Sequence, residues 1–406
     1  MEGVLTSAKS ISMSLRSLAL TALTVLVSLT ACGGGNPEGP APATTPLQTS
    51  ADRAVGSGLA GLALAHLTAD GTTLAWAGLR QVGSTTQIQP GDAFMIGSTT
   101  KAMTAALAGR LVEQGRLAWT MTLAEALPEL AAGMQAAYRT VTLEQLLAHR
   151  GGVLAFTSAT DLDRFQAALD GQAGPLPNTP AGRARFFAAW LLAQQPPAGV
   201  KPGQDFAYSN AGYALVALML EAATGRPFAA LFEQELARPL GMTVGWTSSN
   251  QAFVGQSAGQ PAGHVGAKGR LAVPALDTAE VAAWVDLLRP AGEGLTITPD
   301  SYATWVRWHL KALRGEATPL ASGYLQRLRG LKTDDYAVGW VGIDIDGRAA
   351  IAHDGVYRGF SSLVVIDAQG RSASFGFTNT QADDGSWVLA VLSQTVIGVE
   401  RALPPQ

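Results

Sequence analysis

Cysteine occurs once in these 406 residues, at Cys32. No disulfide can form within the chain, so its stability must come from a packed core. Lysine is scarce (Lys9, Lys101, Lys201, Lys268, Lys311 and Lys332), and long runs of like charge are absent. With a formal net charge of −3 and a pI near 6.0, nothing points to nucleic acid or to a polybasic membrane surface. The histidines are His66, His149, His264, His309 and His353, and no pair of them has metal-ligand spacing. Metal catalysis is therefore not expected, and no cofactor is implied. His66 and His309 fall on apolar stretches, His149 ends a short predicted helix and is expected to cap or pack, and His264 lies in a Gly-rich loop with no evident partner. No repeat of solenoid period is found. What is present, 47% hydrophobic and 15% charged residues, is ample for a large core.

Ahead of Cys32 lie Arg16, an apolar run from Leu18 to Leu29, and then Thr30-Ala31. A basic start, a short apolar core and small residues before the cysteine read as a secretory signal, too short for a transmembrane span. The segment resembles a bacterial lipoprotein signal, in which residues 1–31 are removed and Cys32 becomes the lipidated first residue. Met13 would give a more typical signal length. The expected location is the cell envelope, on the periplasmic face of a membrane or at the cell surface, with membrane contact only through that lipid. Residues 32–50 are rich in Gly, Pro, Thr and Ala and lack periodicity, so they are expected to form a flexible tether. The folded domain is expected to span 51–406.

Apolar runs at 59–67 and 73–79 flank Asp70-Gly71, a strong hairpin signal. Phe94-Met95-Ile96 then leads into Gly97-Ser98-Thr99-Thr100-Lys101, which opens a helix carrying Met103, Leu107 and Leu111 on one face and stopping at Gly115. From about 153 to 310 the pattern is helical, with few strand signals and helices at 181–194, 211–223, 227–237, 278–288 and 299–313. Asn210 is placed to cap the second of these and Gly225 to stop it. Strand signals return at 336–343 and 349–353 around Asp346-Gly347, and at 361–367 and 372–378, before a last apolar helix from Trp387 to Ile397. Hairpins imply an antiparallel sheet. The expected fold is α/β of the α+β type. The two ends share one sheet flanked by helices (about 51–150 and 314–406), and a mainly helical lobe (about 151–313) places a cleft at the seam.

Three stretches bear on chemistry. Lys101 lies three residues after Ser98, so its ammonium returns to the face of the Ser98 hydroxyl. A serine needs a base to take its proton, and a nearby amine can do that or tune another base. The second stretch is Tyr208-Ser209-Asn210, just before a helix; the third is His353-Asp354-Gly355, at the end of a strand. In this order and spacing, with Leu146-Leu147-Ala148-His149-Arg150-Gly151-Gly152, they resemble the serine β-lactamase-like hydrolases of the class C type. That family includes class C β-lactamases, D-alanyl-D-alanine carboxypeptidases, D-aminopeptidases and related esterases. The resemblance runs from Leu59 to the C-terminus and implies a β-lactamase/transpeptidase-like fold. It implies Ser98 as the acylated nucleophile, Lys101 beside it, and Tyr208 as general base and later proton donor. It further implies that Asn210 holds Lys101 and the substrate amide, that His353, Asp354 and Gly355 line the substrate site, and that the backbone N–H groups of Ser98 and Val356 form the oxyanion hole. Which of Lys101 and Tyr208 holds the working proton stays open.

One departure concerns the substrate. Where β-lactamases commonly carry Lys-Thr-Gly or Lys-Ser-Gly, this chain has His353-Asp354-Gly355. An aspartate there would repel the carboxylate of a penicillin or of a terminal D-alanine, although Arg358 nearby could compensate. The expectation is an enzyme acting on a small-molecule or peptide substrate, with weak β-lactam turnover and a preference for esters or for amides lacking a free carboxylate. The rival is a non-catalytic cell-wall peptide or penicillin binder of the same fold. Gly255-Gln256-Ser257-Ala258-Gly259 matches a Gly-x-Ser-x-Gly elbow, but its surroundings read as a loop rather than the strand and helix that elbow needs.

Overall fold

Asp70-Gly71 turns the chain between β1 (Gly61–Thr68) and β2 (Thr72–Gly78), as the apolar runs on either side predict. The computed structural model describes residues 45–251 and 260–403. The signal, Cys32, most of the tether and the Gly255–Gly259 motif lie outside the described residues.

The first departure from the sequence reading comes at once. Residues 46–50, expected in the tether, belong to helix α1 (Pro46–Gly56). Pro46 sits in the first turn, where its missing N–H costs nothing, and the Thr45 side chain accepts from Gln48 N–H. The helix buries Leu47, Ala51 and Ala54.

The C-terminal part of the chain forms an antiparallel meander of β8 (Tyr336–Ala337), β9 (Trp340–Ile345), β10 (Arg348–Tyr357), β11 (Phe360–Asp367) and β12 (Ser372–Thr378). Three of its turns place consecutive residues at positive φ, Val338-Gly339, Asp346-Gly347 and Arg358-Gly359, the geometry of tight hairpins. β1 then pairs with β12, in the register Leu62↔Thr378 to Thr68↔Ser372. The order is β2-β1-β12-β11-β10-β9-β8, so both ends of the chain share one seven-stranded sheet.

Alternate residues divide the core. On one face Leu62, Leu64, Leu363 and Val365 pack with α1 and with α8 (Trp387–Ala402). On the other, Val364, Ile366, Phe375 and Phe377 meet α6 (Pro299–Leu313), whose Tyr302 ring lies 5.0 Å from Phe375 and 4.9 Å from Phe377. Helix α6, expected in the helical lobe, therefore belongs to the sheet layer. The helical lobe contains α3 (Ala159–Asp170), α4 (Pro180–Ala193) and α5 (Asn210–Thr224). Between the layers runs α2 (Thr100–Glu113), buried on nearly every side. Among its described residues, the stretch read as strand-poor holds four short strands: β4 (Val244–Trp246), β5 (His264–Ala267), β6 (Arg270–Ala272) and β7 (Leu295–Ile297). With β3 (Phe94–Met95), β7 and β4 form a small sheet that anchors the residues leading to Ser98.

His264 has partners after all. Its Nδ1–H donates to Asn379 O at 2.9 Å, and its Nε2 accepts from Val82 N–H at 3.1 Å. The other internal polar cluster joins α8 to the sheet. Glu400, 2% exposed, accepts from the Ser372 and Ser374 hydroxyls at 2.7 and 2.6 Å, and His66 Nδ1 lies 3.5 Å from its Oε1. Glu400→Ala strips two buried hydroxyls of their acceptor and should lower unfolding stability by about 3 kcal/mol. The midpoint of urea denaturation checks this; an unchanged midpoint would mean that water replaces the carboxylate at no cost.

Candidate active site

The chain enters the site through β3 and a single 3₁₀ turn, Gly97–Thr99, that runs into α2. The turn rests on β10 beyond Ala352, where β10 has parted from β9. Three glycines make this approach possible. A Cβ on Gly97 (φ 52) would stand 2.5 Å from Val356 N, one on Gly355 would stand 2.0 Å from Ile96 O, and one on Gly292 (φ 124) would stand 2.2 Å from Gly97 O. The backbone nitrogens of Ser98 and Val356 are thereby held near one another, each beside one of these glycines.

One helical turn brings Lys101 back over Ser98, as its spacing requires. Lys101 is 0% exposed. Its Nζ donates to Ser98 Oγ at 2.9 Å, to Asn210 Oδ1 at 2.7 Å and to Ala291 O at 2.7 Å, one acceptor for each ammonium proton. Burial lowers its pKa to about 7, against the opposing influence of Glu293 and Asp354. Tyr208 reaches the same oxygen from the other side, its hydroxyl donating to Ser98 Oγ at 2.9 Å. Burial holds the Tyr208 phenol well above its usual range, the hydrogen bond to Ser98 works the other way, and Asp354, Tyr213 and Glu293 add to the rise. Ser98 and Tyr208 both keep some exposure, so the cluster opens to solvent.

Asn210 is not the helix cap. Ser209 holds that place, its Oγ accepting from Gly212 N–H at 2.9 Å, which frees the Asn210 amide for Lys101. His353-Asp354-Gly355 lies within β10 rather than at its end, because pairing with β11 continues to Tyr357↔Phe360. Both ring nitrogens of His353 are occupied. Nδ1–H donates to Asp354 O at 2.5 Å, and Nε2 accepts from the Tyr336 hydroxyl at 3.1 Å. Buried and beside Lys101, this imidazole is pushed down to about 3 and stays neutral. Asp354 is 6% exposed, and burial raises its carboxyl to about 7.

Arg358 does not compensate for Asp354. Its guanidinium donates to Asp277 Oδ2 at 2.9 Å and to Ala275 O at 2.8 Å. Sequence reasoning missed Glu293, a partly exposed carboxyl that burial lifts to about 8 and that interacts with both Lys101 and Arg358. Its sequence signal was an acidic residue between Gly292 and Gly294. Ala291 was also missed, since a backbone carbonyl carries no residue-type signal.

Comparison with known proteins bears on the family and the fold. A family model described as Beta-lactamase matches residues 49–396. An unguisins hydrolase from Aspergillus violaceofuscus is 28% identical over 65% of the chain, which spans 45% of that protein. Penicillin-binding protein 4 of Amycolatopsis lactamdurans is 26% identical over 72% of the chain and 74% of its own length. A solved structure of D-amino acid amidase from Ochrobactrum anthropi superposes with a TM-score of 0.67 at 19% identity, covering 88% of this chain and 97% of that one.

Proposed function

The chain belongs to the beta-lactamase family, and on that premise we propose that it is a serine hydrolase cleaving esters or amides through an acyl-enzyme on Ser98. The observation that carries this reading is the double approach to Ser98 Oγ, with Lys101 Nζ and the Tyr208 hydroxyl each at 2.9 Å. Lys101 has a depressed pKa and Tyr208 a raised one, which favours the lysine amine as base and the phenol as acid.

In acylation, Ser98 Oγ forms a bond to the substrate carbonyl carbon as its proton passes to Lys101. The oxyanion is met by Ser98 and Val356 N–H. The Tyr208 hydroxyl gives its proton to the leaving oxygen or nitrogen as that bond breaks. In deacylation the tyrosinate takes a proton from water, hydroxide adds to the acyl carbon, and Ser98 leaves with the proton held by Lys101. The cycle returns all three groups to their starting forms.

The substrate is an ester or amide without a carboxylate near the scissile bond. Asp354 and Glu293 place acidic groups beside Lys101, and Arg358 is held by Asp277. A substrate carboxylate would find the Arg358 guanidinium already taken and would be repelled by whatever fraction of the two carboxyls is ionised. The D-amino acid amidase supports the same reading, since its name describes a substrate of this kind. The apolar run from Leu18 to Leu29, followed by Thr30-Ala31-Cys32, supports export and lipid anchoring as part of the proposal.

The test compares kcat/KM for D-phenylalanine 4-nitroanilide and p-nitrophenyl acetate with that for a peptide ending in D-Ala-D-Ala, using Ser98→Ala as control. A preference of about tenfold or more for the first two is expected, about 1.4 kcal/mol of discrimination. An acyl adduct should form on the wild type and be absent from the variant. Faster acylation by the D-Ala-D-Ala peptide or by a penicillin would overturn the assignment of substrate. Turnover surviving in Ser98→Ala would overturn the assignment of nucleophile.

A further inference from the structure

We propose that His149 is a positioning residue, the first member of a cradle that sets Tyr208 and Asn210 against Ser98 and Lys101. The proposal rests on the reading that those groups carry the reaction. The cradle is the segment 149–156, which wraps 207–210 with five hydrogen bonds. His149 O accepts from Ala207 N–H at 2.7 Å, and His149 Nδ1 accepts from Ser209 N–H at 3.1 Å. Leu154 O accepts from the Ser209 hydroxyl at 2.7 Å. Ala155 O and Phe156 O accept from the Asn210 backbone N–H at 2.8 Å and from its side-chain Nδ2 at 2.9 Å.

The His149 imidazole also forms part of the wall behind Tyr208. Their ring centroids are 4.1 Å apart, and on its other sides the imidazole meets Tyr336 at 4.5 Å and Tyr213 at 5.2 Å. A side chain that both receives Ser209 N–H and packs against the Tyr208 ring fixes the intervening Cα and the direction of the phenol.

Two features indicate that this arrangement is imposed by the fold rather than relaxed. His149 and Phe156, at the two ends of the cradle, both have left-handed backbone, φ 55 and 51, a conformation uncommon for residues other than glycine and rarer for a Phe than for a His. Because Nδ1 accepts, the imidazole proton sits on Nε2, and that buried nitrogen has no partner among the described residues. Burial, with Lys101 nearby, holds the imidazole well below its usual range, so it stays neutral beside the reacting lysine.

The test is a double-mutant cycle with D-phenylalanine 4-nitroanilide, whose amine leaving group needs a proton. His149→Phe keeps a ring against Tyr208 but loses the lone pair. His149→Asn keeps an acceptor and tolerates the left-handed backbone but loses the ring. In the wild-type background each should lower kcat by about 10- to 100-fold with KM changed less than threefold, Asn the milder of the two. In the Tyr208→Phe background the further loss should shrink to less than about threefold, because the phenol hydroxyl is gone and only the placing of Asn210 remains to be disturbed. An equal loss in both backgrounds, or kcat within twofold of wild type, would overturn the proposal. Should His149→Phe fail to fold, the cycle with His149→Asn decides alone. Full activity in Ser98→Ala and Tyr208→Phe would instead overturn the parent reading, whatever His149 does.

Discussion

Lys101→Met should give a folded protein that resists unfolding better than the wild type and turns over substrate about 10³-fold more slowly. The two effects have one origin. Lys101 is the one completely buried lysine among the described residues, and methionine nearly matches its length without its charge. A fall of the lysine pKa from 10.5 to about 7 corresponds to about 5 kcal/mol of stability surrendered when the ammonium is buried. The sign follows from proton binding. Between pH 7 and 10.5 the unfolded chain holds more protons on this group than the folded one, so wild-type stability rises with pH across that window, and the full penalty applies below it. Methionine removes the penalty but leaves Ser98 Oγ, Asn210 Oδ1 and Ala291 O without their donor, which offsets part of the gain. A net stabilisation of about 1–3 kcal/mol at pH 6.5, shrinking by pH 9.5, is therefore expected from urea unfolding at the two values. The loss of turnover is that of removing a general base. A variant less stable than wild type at pH 6.5 that keeps more than about a tenth of its kcat would show that Lys101 is a structural ammonium.

The same residue shows what a sequence can disclose. Ser98 and Lys101 meet because three residues on a helix bring side chains to one face, a local rule that needs no tertiary information. The hairpins at Asp70-Gly71 and Asp346-Gly347 were legible for the same reason. What escaped depends on distant packing. Helix α1 was hidden because its Pro, Thr and Ser content reads as tether until the sheet supplies a surface for Leu47, Ala51 and Ala54. Strands β4 to β7 have three or four residues each, too short for alternation to declare itself. Asn210 was read as a cap because Asn caps well, yet Ser209 takes that place and the Asn side chain serves Lys101. Arg358 looked free because its partner Asp277 lies far away in sequence. For Asn210 the family resemblance already named the contact with Lys101 and only the capping role fails; at the other positions the residue type allowed two roles, and neighbours in space chose between them.

The glycine of the third stretch yields the second large effect. Gly355→Ala should lower kcat by about 10²- to 10³-fold while KM changes far less. The new methyl would stand 2.0 Å from Ile96 O, 2.7 Å from Ser362 Oγ and 2.8 Å from Ser98 N. Two of these three contacts are backbone atoms, which cannot rotate aside. The strand and the Gly97–Thr99 turn must therefore part, and with them the paired N–H groups of Ser98 and Val356. A donor moved off the developing oxyanion forfeits stabilisation of the transition state without weakening ground-state binding, hence the fall in kcat. The fold should survive, since β10 stays paired with β11 from Ala350 to Tyr357 and with β9 from Arg348 to Ala352; a cost of about 1–3 kcal/mol is expected. Gly398→Ala is the matched control, because a methyl there meets nothing within 4 Å on α8, and it should leave kcat unchanged. Steady-state kinetics on D-phenylalanine 4-nitroanilide, with circular dichroism to confirm folding, separates the cases. A folded Gly355→Ala enzyme with kcat within threefold of wild type would mean that the oxyanion is held elsewhere than between the turn and β10.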